Sequence, residues 1–83
     1  MGVKLKTLSG DKLVSILEGF GFVAVHEVGS HIKLRRVTAE AVETLVVPYH
    51  ATIPKGTLRA IFNQASRYVP SAELRKHFYT STR

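Results

Sequence analysis

Four histidines supply the side chains in this 83-residue sequence that exchange protons most readily near neutral pH. They are spread singly along the chain, at His26, His31, His50 and His77, and the chain contains no cysteine. The absence of cysteine excludes a thiol nucleophile and a thiolate metal cluster, and isolated histidines do not indicate a metal site. We therefore expect proton-transfer chemistry that uses no metal and no other cofactor.

Basic side chains near two of these histidines indicate a polyanionic partner. Lys33 and Arg35 alternate with His31, and Lys55 and Arg59 have the four-residue spacing of one helix face. Twelve Lys and Arg against six Asp and Glu give a net charge of +6. This excess favours nucleic acid first and anionic lipid second. Because the sequence shows neither a membrane-spanning apolar run nor a signal-peptide pattern, we expect a cytoplasmic protein without a membrane partner.

A short helix and a hairpin are predicted to position His31. Ser9 is a suitable N-cap for a helix whose apolar stripe ends before Gly21, and Gly29-Ser30 then separates two segments rich in branched residues, 22–28 and 31–37. Glycine at the first position of a two-residue loop is typical of a type II′ turn. The expected cross-strand pairs are Val28–His31, His26–Lys33, Val25–Leu34, Ala24–Arg35 and Val23–Arg36.

Side-chain alternation predicts two different faces for this hairpin. The face expected to pack on helices carries Val23, Val25, Ile32 and Leu34, with Arg36 at its rim. The opposite, polar face carries His26, His31, Lys33 and Arg35. His31 and two cations are thus expected to share one exposed surface.

The rest of the chain predicts one more strand and two more helices. An acidic connection over 38–43, longer than a tight turn, leads to a strand at 44–47, and a helix begins near Pro54. Ser71 is expected to cap a last helix with Leu74 and Phe78 facing inward. We expect a single α+β domain over 1–83, with a core at about 8–66 and a helical extension at 70–79. The α-β-β-β-α order, with a three-stranded antiparallel sheet and helices on one face, resembles double-stranded-RNA-binding domains.

Five short motifs narrow this interpretation. They are Leu8-Ser9-Gly10, Gly21-Phe22, Gly29-Ser30-His31, Val47-Pro48-Tyr49-His50, and Lys55-Gly56-Thr57-Leu58-Arg59-Ala60-Ile61. Their order and spacing resemble the HicA family of toxins, which are mRNA interferases of toxin–antitoxin pairs. The resemblance implies a double-stranded-RNA-binding-like fold, cleavage of messenger RNA, and a HicB-type antitoxin as protein partner. It also implies that His31, in the Gly-Ser-His motif, is the catalytic histidine and is covered by the antitoxin.

The remaining candidate residues have roles that the residue types leave open. His50 is interpreted either as a general acid or phosphate ligand, or as a hydrogen-bonding residue of its loop, and Ser30 is a second auxiliary candidate. Lys33, Arg35, Lys55 and Arg59 are the predicted RNA-phosphate ligands. Two alternatives involve no catalysis. One is a non-catalytic RNA-binding module, and the other is a basic accessory domain that docks DNA or a protein.

Overall fold

Three helices and three strands build the protein, in a computed structural model that describes residues 3–80. The elements are α1 (Gly10–Gly19), β1 (Val23–Val28), β2 (His31–Val37), β3 (Val42–Pro48), α2 (Lys55–Ala65) and α3 (Ser71–Phe78). The strands form one antiparallel sheet in the order β1-β2-β3. This α-β-β-β-α-α arrangement confirms the predicted α+β fold of the double-stranded-RNA-binding type. None of its helices is long and apolar enough to span a membrane within the described region.

The start and the end of α1 follow from two residues that flank it. The Ser9 hydroxyl accepts a hydrogen bond from the Lys12 N–H at 3.0 Å, which satisfies one of the free donors of the first turn. After the helix, Gly21 has a φ of 97°, a conformation that side chains other than glycine rarely adopt. Leu13 and Leu17 are fully buried beneath the sheet, as the apolar stripe predicts.

The hairpin between β1 and β2 has the predicted turn but only part of the predicted register. Gly29 has a φ of 58° and Ser30 has no positive φ, as a type II′ turn requires. Next to the turn, His31 pairs with Val28 and Lys33 pairs with His26, as expected. Beyond His26 the register shifts by one residue. Such a shift is the signature of a β-bulge, which places one extra residue in one strand.

The bulge overturns the rest of the predicted register and part of the predicted core. Ala24 pairs with Leu34 and not with Arg35, and Val23 pairs with Arg35 and not with Arg36. Val23 and Val25 are 60% and 43% exposed, so their assignment to the buried face was wrong. The physical reason is twofold, because the bulge breaks the alternation of side chains and β1 is an edge strand. The sheet residues that are buried come from β2 and β3, namely Leu34, Leu45, Val47 and Pro48.

The connection between β2 and β3 is tighter than predicted. β2 continues to Val37 and β3 begins at Val42, which leaves a four-residue loop at 38–41. The Thr38 side chain organises this loop, since its hydroxyl accepts from the Ala41 N–H at 3.1 Å and donates to the Ala41 carbonyl. Glu43 lies within β3 and pairs across the sheet with Arg36. The expectation of a long acidic connection was therefore wrong.

The last helix is part of the same hydrophobic core. Leu74 and Phe78 are fully buried, as predicted, and belong to the cluster that contains Leu13 and Leu17. The residue at the N-cap position is Pro70 and α3 has no side-chain cap, so the capping role predicted for Ser71 was wrong. Lys6 donates its N–H to the Phe78 carbonyl at 2.7 Å, and Thr80 donates to the Lys4 carbonyl at 2.7 Å. The segment before α1 thus pairs with the segment after α3.

Candidate nucleic-acid interface

His31 is the first residue of β2 and lies on the sheet face that the helices leave uncovered. It is exposed, and its cross-strand neighbours are Val28 on β1 and Pro48 on β3. The turn that precedes it is fixed to β3, because the Tyr49 N–H donates to the Ser30 carbonyl. The hairpin turn and the end of β3 therefore form one unit that holds His31 in place.

His50 follows β3 and lines the same cavity as His31. This open cavity of about 340 Å³ lies between the end of the sheet and α2. Its lining is mixed, with apolar residues from β3 and α2 and polar residues at several points. The lining residues are His31, Val46, Pro48, His50, Pro54, Thr57, Ala60, Ile61 and Gln64. Two side chains able to exchange protons thus share one open site, although they come from different strands and motifs.

The loop that carries His50 is anchored by the N-terminus of α1. Gly10 donates its N–H to the His50 carbonyl at 2.8 Å, and Ile53 donates to the Leu8 carbonyl at 2.9 Å. The approach at Gly10 is close, since a Cβ there would stand 2.6 Å from the Pro48 carbonyl oxygen. Glycine is therefore required at position 10 for the backbones to meet. The Leu8-Ser9-Gly10 motif therefore holds in place the loop that carries His50.

Tyr49 connects the same loop to the side of α1. Its hydroxyl donates to the Asp11 carboxylate at 2.9 Å, in the first turn of the helix. This hydrogen bond, together with the negative charge of Asp11, raises the pKa of Tyr49 above its usual value of about 10. The Tyr49 side chain is partly exposed, and its hydroxyl is directed to α1 rather than to the cavity. Its observed contacts are those of a residue that positions the loop.

Lys33 and Arg35 extend the exposed face of β2 away from His31. Both are exposed, and their β3 partners are Val46 and Thr44. Neither takes part in a side-chain ion pair within residues 3–80. His26 pairs with Lys33 from β1 and adds a further polar side chain to this surface. His31, Lys33 and Arg35 thus form a continuous row, which we call the β2 row.

Arg36 belongs to the opposite face of the sheet, where the helices pack. Its Nε donates to the Glu43 carboxylate at 2.6 Å, and its two terminal nitrogens donate to the Phe20 and Tyr68 carbonyls at 2.9 and 2.8 Å. Its guanidinium also lies 5.0 Å from the Phe22 ring centre. Arg36 was expected at the rim of the core. Its hydrogen bonds there join the end of α1, the sheet and the segment after α2.

Lys55 and Arg59 are not placed beside His31. The Lys55 ammonium donates to the Leu5 carbonyl at 2.8 Å and to the Thr7 hydroxyl at 3.2 Å. With about 3.6 residues per helical turn, Lys55 and Arg59 lie on the flank of α2 opposite the cavity-lining residues. Both side chains are exposed. The four predicted phosphate ligands therefore form two separate pairs.

The two remaining histidines lie outside the cavity. His77, in the last turn of α3, packs edge-on against Phe20 with 5.5 Å between ring centres. His26 is exposed on β1. In the described part of the chain, no three His, Asp or Glu side chains are grouped so that they could hold a metal ion.

Thr57 and Gln64 line the cavity but were not recognised from the sequence as site residues. A signal for them exists, because Thr57, Ala60, Ile61 and Gln64 have the i, i+3, i+4, i+7 spacing of one helical stripe. This stripe flanks the buried stripe of α2, formed by Leu58, Ile61, Phe62 and Ala65. Spacing alone does not show that its exposed members face β3, which is why it was missed.

The part of the chain that forms this site matches one family of known proteins. A family model described as the HicA toxin of bacterial toxin–antitoxin systems matches residues 10–66, from the first residue of α1 to the end of α2. Nothing matches the chain among curated proteins or among solved structures. The family match covers more than half of the 83 residues and includes both histidines of the cavity and the β2 row. The chain therefore belongs to the HicA family of toxins from toxin–antitoxin systems.

Proposed function

We propose that this toxin is a metal-independent endoribonuclease that cleaves messenger RNA, with His31 as general base. The single observation that carries the proposal is the exposed cavity that His31 and His50 both line, at the end of the β2 row. Messenger RNA as substrate would place the activity in the cytoplasm. Histidine is the side chain most often used as a general acid or base in catalysis.

The proposed reaction is transfer of the phosphodiester to the neighbouring 2′-hydroxyl. His31 takes the proton of the 2′-hydroxyl while the 2′-oxygen forms a bond to phosphorus. The bond from phosphorus to the 5′-oxygen breaks, and a proton reaches this leaving oxygen, for which His50 is the proposed donor. The products are a 2′,3′-cyclic phosphate and a 5′-hydroxyl end. The shared cavity supports this division of roles between the two histidines.

Cations on the exposed sheet face are proposed to stabilise the charge that develops on the phosphate. Lys33 is the next residue of the β2 row after His31, and Arg35 follows it. Ser30 flanks His31 in the turn and is proposed as an auxiliary donor to the phosphate. Lys55 and Arg59 lie on the far flank of α2, so we propose that they contact RNA outside the cleavage site.

The protein partner proposed for this surface is a HicB-type antitoxin that covers His31. The uncovered sheet face combines the cations of the β2 row with exposed valines at positions 28, 42 and 46. A partner that presents carboxylates and apolar side chains would complement both features. Chemical modification of His31 should therefore slow markedly when the antitoxin is bound, and equal reactivity in both states would contradict this mode of inhibition.

A substrate substitution tests the proposed chemistry most simply. Replacing the 2′-hydroxyl at the cleaved nucleotide by hydrogen should block cleavage, because the attacking group is then missing, while binding persists. Cleavage should also continue in EDTA. Unchanged cleavage of the 2′-deoxy substrate would contradict the proposed attack. Binding without any cleavage of the all-ribose RNA would instead favour a non-catalytic RNA-binding module.

A further inference from the structure

We propose that the cavity beside His31 is a binding site for one unpaired nucleobase, selected by the side chains of Gln64 and Thr57. The inference rests on the proposed function, because it places the base next to the phosphodiester that His31 would cleave. Gln64 and Thr57 would then determine which RNA sequence is cut. The occupant is a single base of the RNA strand itself.

The shape and lining of the cavity suit a flat heteroaromatic ring. Val46 and Pro48 form an apolar wall on the β3 side, and Ala60 with Ile61 forms another on the α2 side. The volume of about 340 Å³ is near the lower end of the range of ~300–1,000 Å³ for small-molecule sites. A site of this size holds one nucleoside and not a longer piece of RNA. Apolar walls of this kind favour the faces of a base.

Polar groups stand where the edge of such a base would meet α2. Thr57 and Gln64 occupy the two ends of the cavity-lining stripe and are both exposed. A glutamine amide offers one acceptor and two donors, which match the adjacent donor and acceptor groups on the edge of a base. The threonine hydroxyl can donate or accept. These two residues can therefore distinguish bases, whereas the apolar walls cannot.

The position of the charges argues against a phosphate as the occupant. Neither Lys33 nor Arg35 lines the cavity, and Lys55 and Arg59 lie on the other flank of α2. The scissile phosphate would lie at the mouth of the cavity beside His31 and His50, and the other phosphates would follow the β2 row. The base would be directed inward between β3 and α2. A base in this position cannot be stacked in a duplex, so the substrate at the cut is single-stranded, where proteins read RNA sequence most often.

The experiment measures binding of an RNA oligonucleotide that carries a 2′-deoxy nucleotide at the cleaved position and is therefore not cut. Four oligonucleotides, which differ only in the identity of the base next to that position, are titrated against the wild type and three variants. Gln64→Leu removes the amide, Ala60→Phe fills the cavity, and Asn63→Ala is the control on the neighbouring exposed position of α2. Thermal melts of all variants accompany the titrations.

We expect the wild type to prefer one base by on the order of tenfold. Gln64→Leu should remove this preference, Ala60→Phe should weaken binding of all four oligonucleotides, and Asn63→Ala should behave as the wild type. Equal binding of the four bases by the wild type, or an unchanged preference in Gln64→Leu, would overturn the proposal. Failure of the proposed function looks different, because His31→Ala would then cleave normally while the base preference in binding remained.

Discussion

Arg36 and Glu43 face each other across β2 and β3, with 2.6 Å between the guanidinium Nε and the carboxylate, on the sheet face opposite His31. Their side chains are 23% and 14% exposed. The pair places a hairpin carboxylate away from the proposed RNA surface. It also leaves the neighbouring Arg35, which points to the other face, free of side-chain ion pairs in the described region.

Arg36→Ala should destabilise the protein by about 2–3 kcal/mol, since three charge-assisted hydrogen bonds are lost and the largely buried Glu43 carboxylate is left without its partner. For a domain of this size each kcal/mol lowers the melting temperature by roughly 4–8 °C. Arg35→Ala is the matched control, and it should stay within about half a kcal/mol of the wild type. Equal melting temperatures for the two variants would contradict the contacts assigned to Arg36.

RNA binding should weaken with increasing salt, because the proposed contacts are to phosphates. Replacing both Lys33 and Arg35 by Ala should lower the slope of log affinity against log salt by about 1.4 for single-stranded RNA, at ~0.7 for each phosphate contact. Lys55→Ala with Arg59→Ala should lower the affinity for long RNAs across unrelated sequences. On an oligonucleotide that covers only the cleavage site, this second pair should have little effect. An unchanged salt slope in the Lys33 and Arg35 variant would contradict the role of the β2 row.

Gly10→Ala should destabilise the protein by about 1–3 kcal/mol, as overpacking typically does, and should reduce cleavage. The added Cβ would meet the Pro48 carbonyl oxygen at 2.6 Å and displace the loop that carries His50. Gly19→Ala is the control in the same helix, where an added Cβ would meet no atom from another part of the described chain within 4 Å. There the higher helix propensity of alanine should stabilise by up to ~1 kcal/mol. Thermal melts and cleavage rates of both variants test this prediction. A Gly10→Ala variant with wild-type stability and activity would contradict the close approach of Gly10 to Pro48.

Tyr49 should titrate above its usual pKa of about 10, and Asp11→Ala should lower the pKa towards that value, because it removes the hydrogen bond and the charge that raise it. A group whose pKa is higher in the folded state contributes stability below its unfolded pKa and loses it as the pH rises through the folded pKa. Tyr49 should therefore contribute to alkaline unfolding only above about pH 10. Nuclear magnetic resonance titration of the Tyr49 ring measures this, and identical curves with and without Asp11 would contradict the contact.

Local chemistry was sufficient to predict most of the fold. The cap at Ser9, the turn at Gly29 and the start of α2 after Pro54 each depend on a few neighbouring residues, and the structure confirms them. The errors at Val23 and Val25 came from extending a perfect alternation through β1, where a bulge intervenes. No residue type marks a bulge at that point, since the register shift depends on how β1 pairs with β2.

The candidate site was predictable only in part, for a similar reason. The turn at Gly29-Ser30 sets the strand pairing next to it, so the sequence was sufficient to predict that His31 and Lys33 share one face of the sheet. The cavity was not, because its walls meet only when α2 packs beside β3. The same packing turns Lys55 towards the Leu5 carbonyl, whereas its spacing from Arg59 had predicted only that the two share one helix face.

The most direct measurement is RNA cleavage by the wild type and by His31→Ala, with thermal melts of both. His31 is exposed on the uncovered sheet face, so its replacement should change stability by no more than about half a kcal/mol. Removal of a general base should lower the cleavage rate by ~10²–10⁴-fold. Equal cleavage rates for the two proteins would contradict the catalytic role of His31, and loss of folding in the variant would show that this histidine is structural.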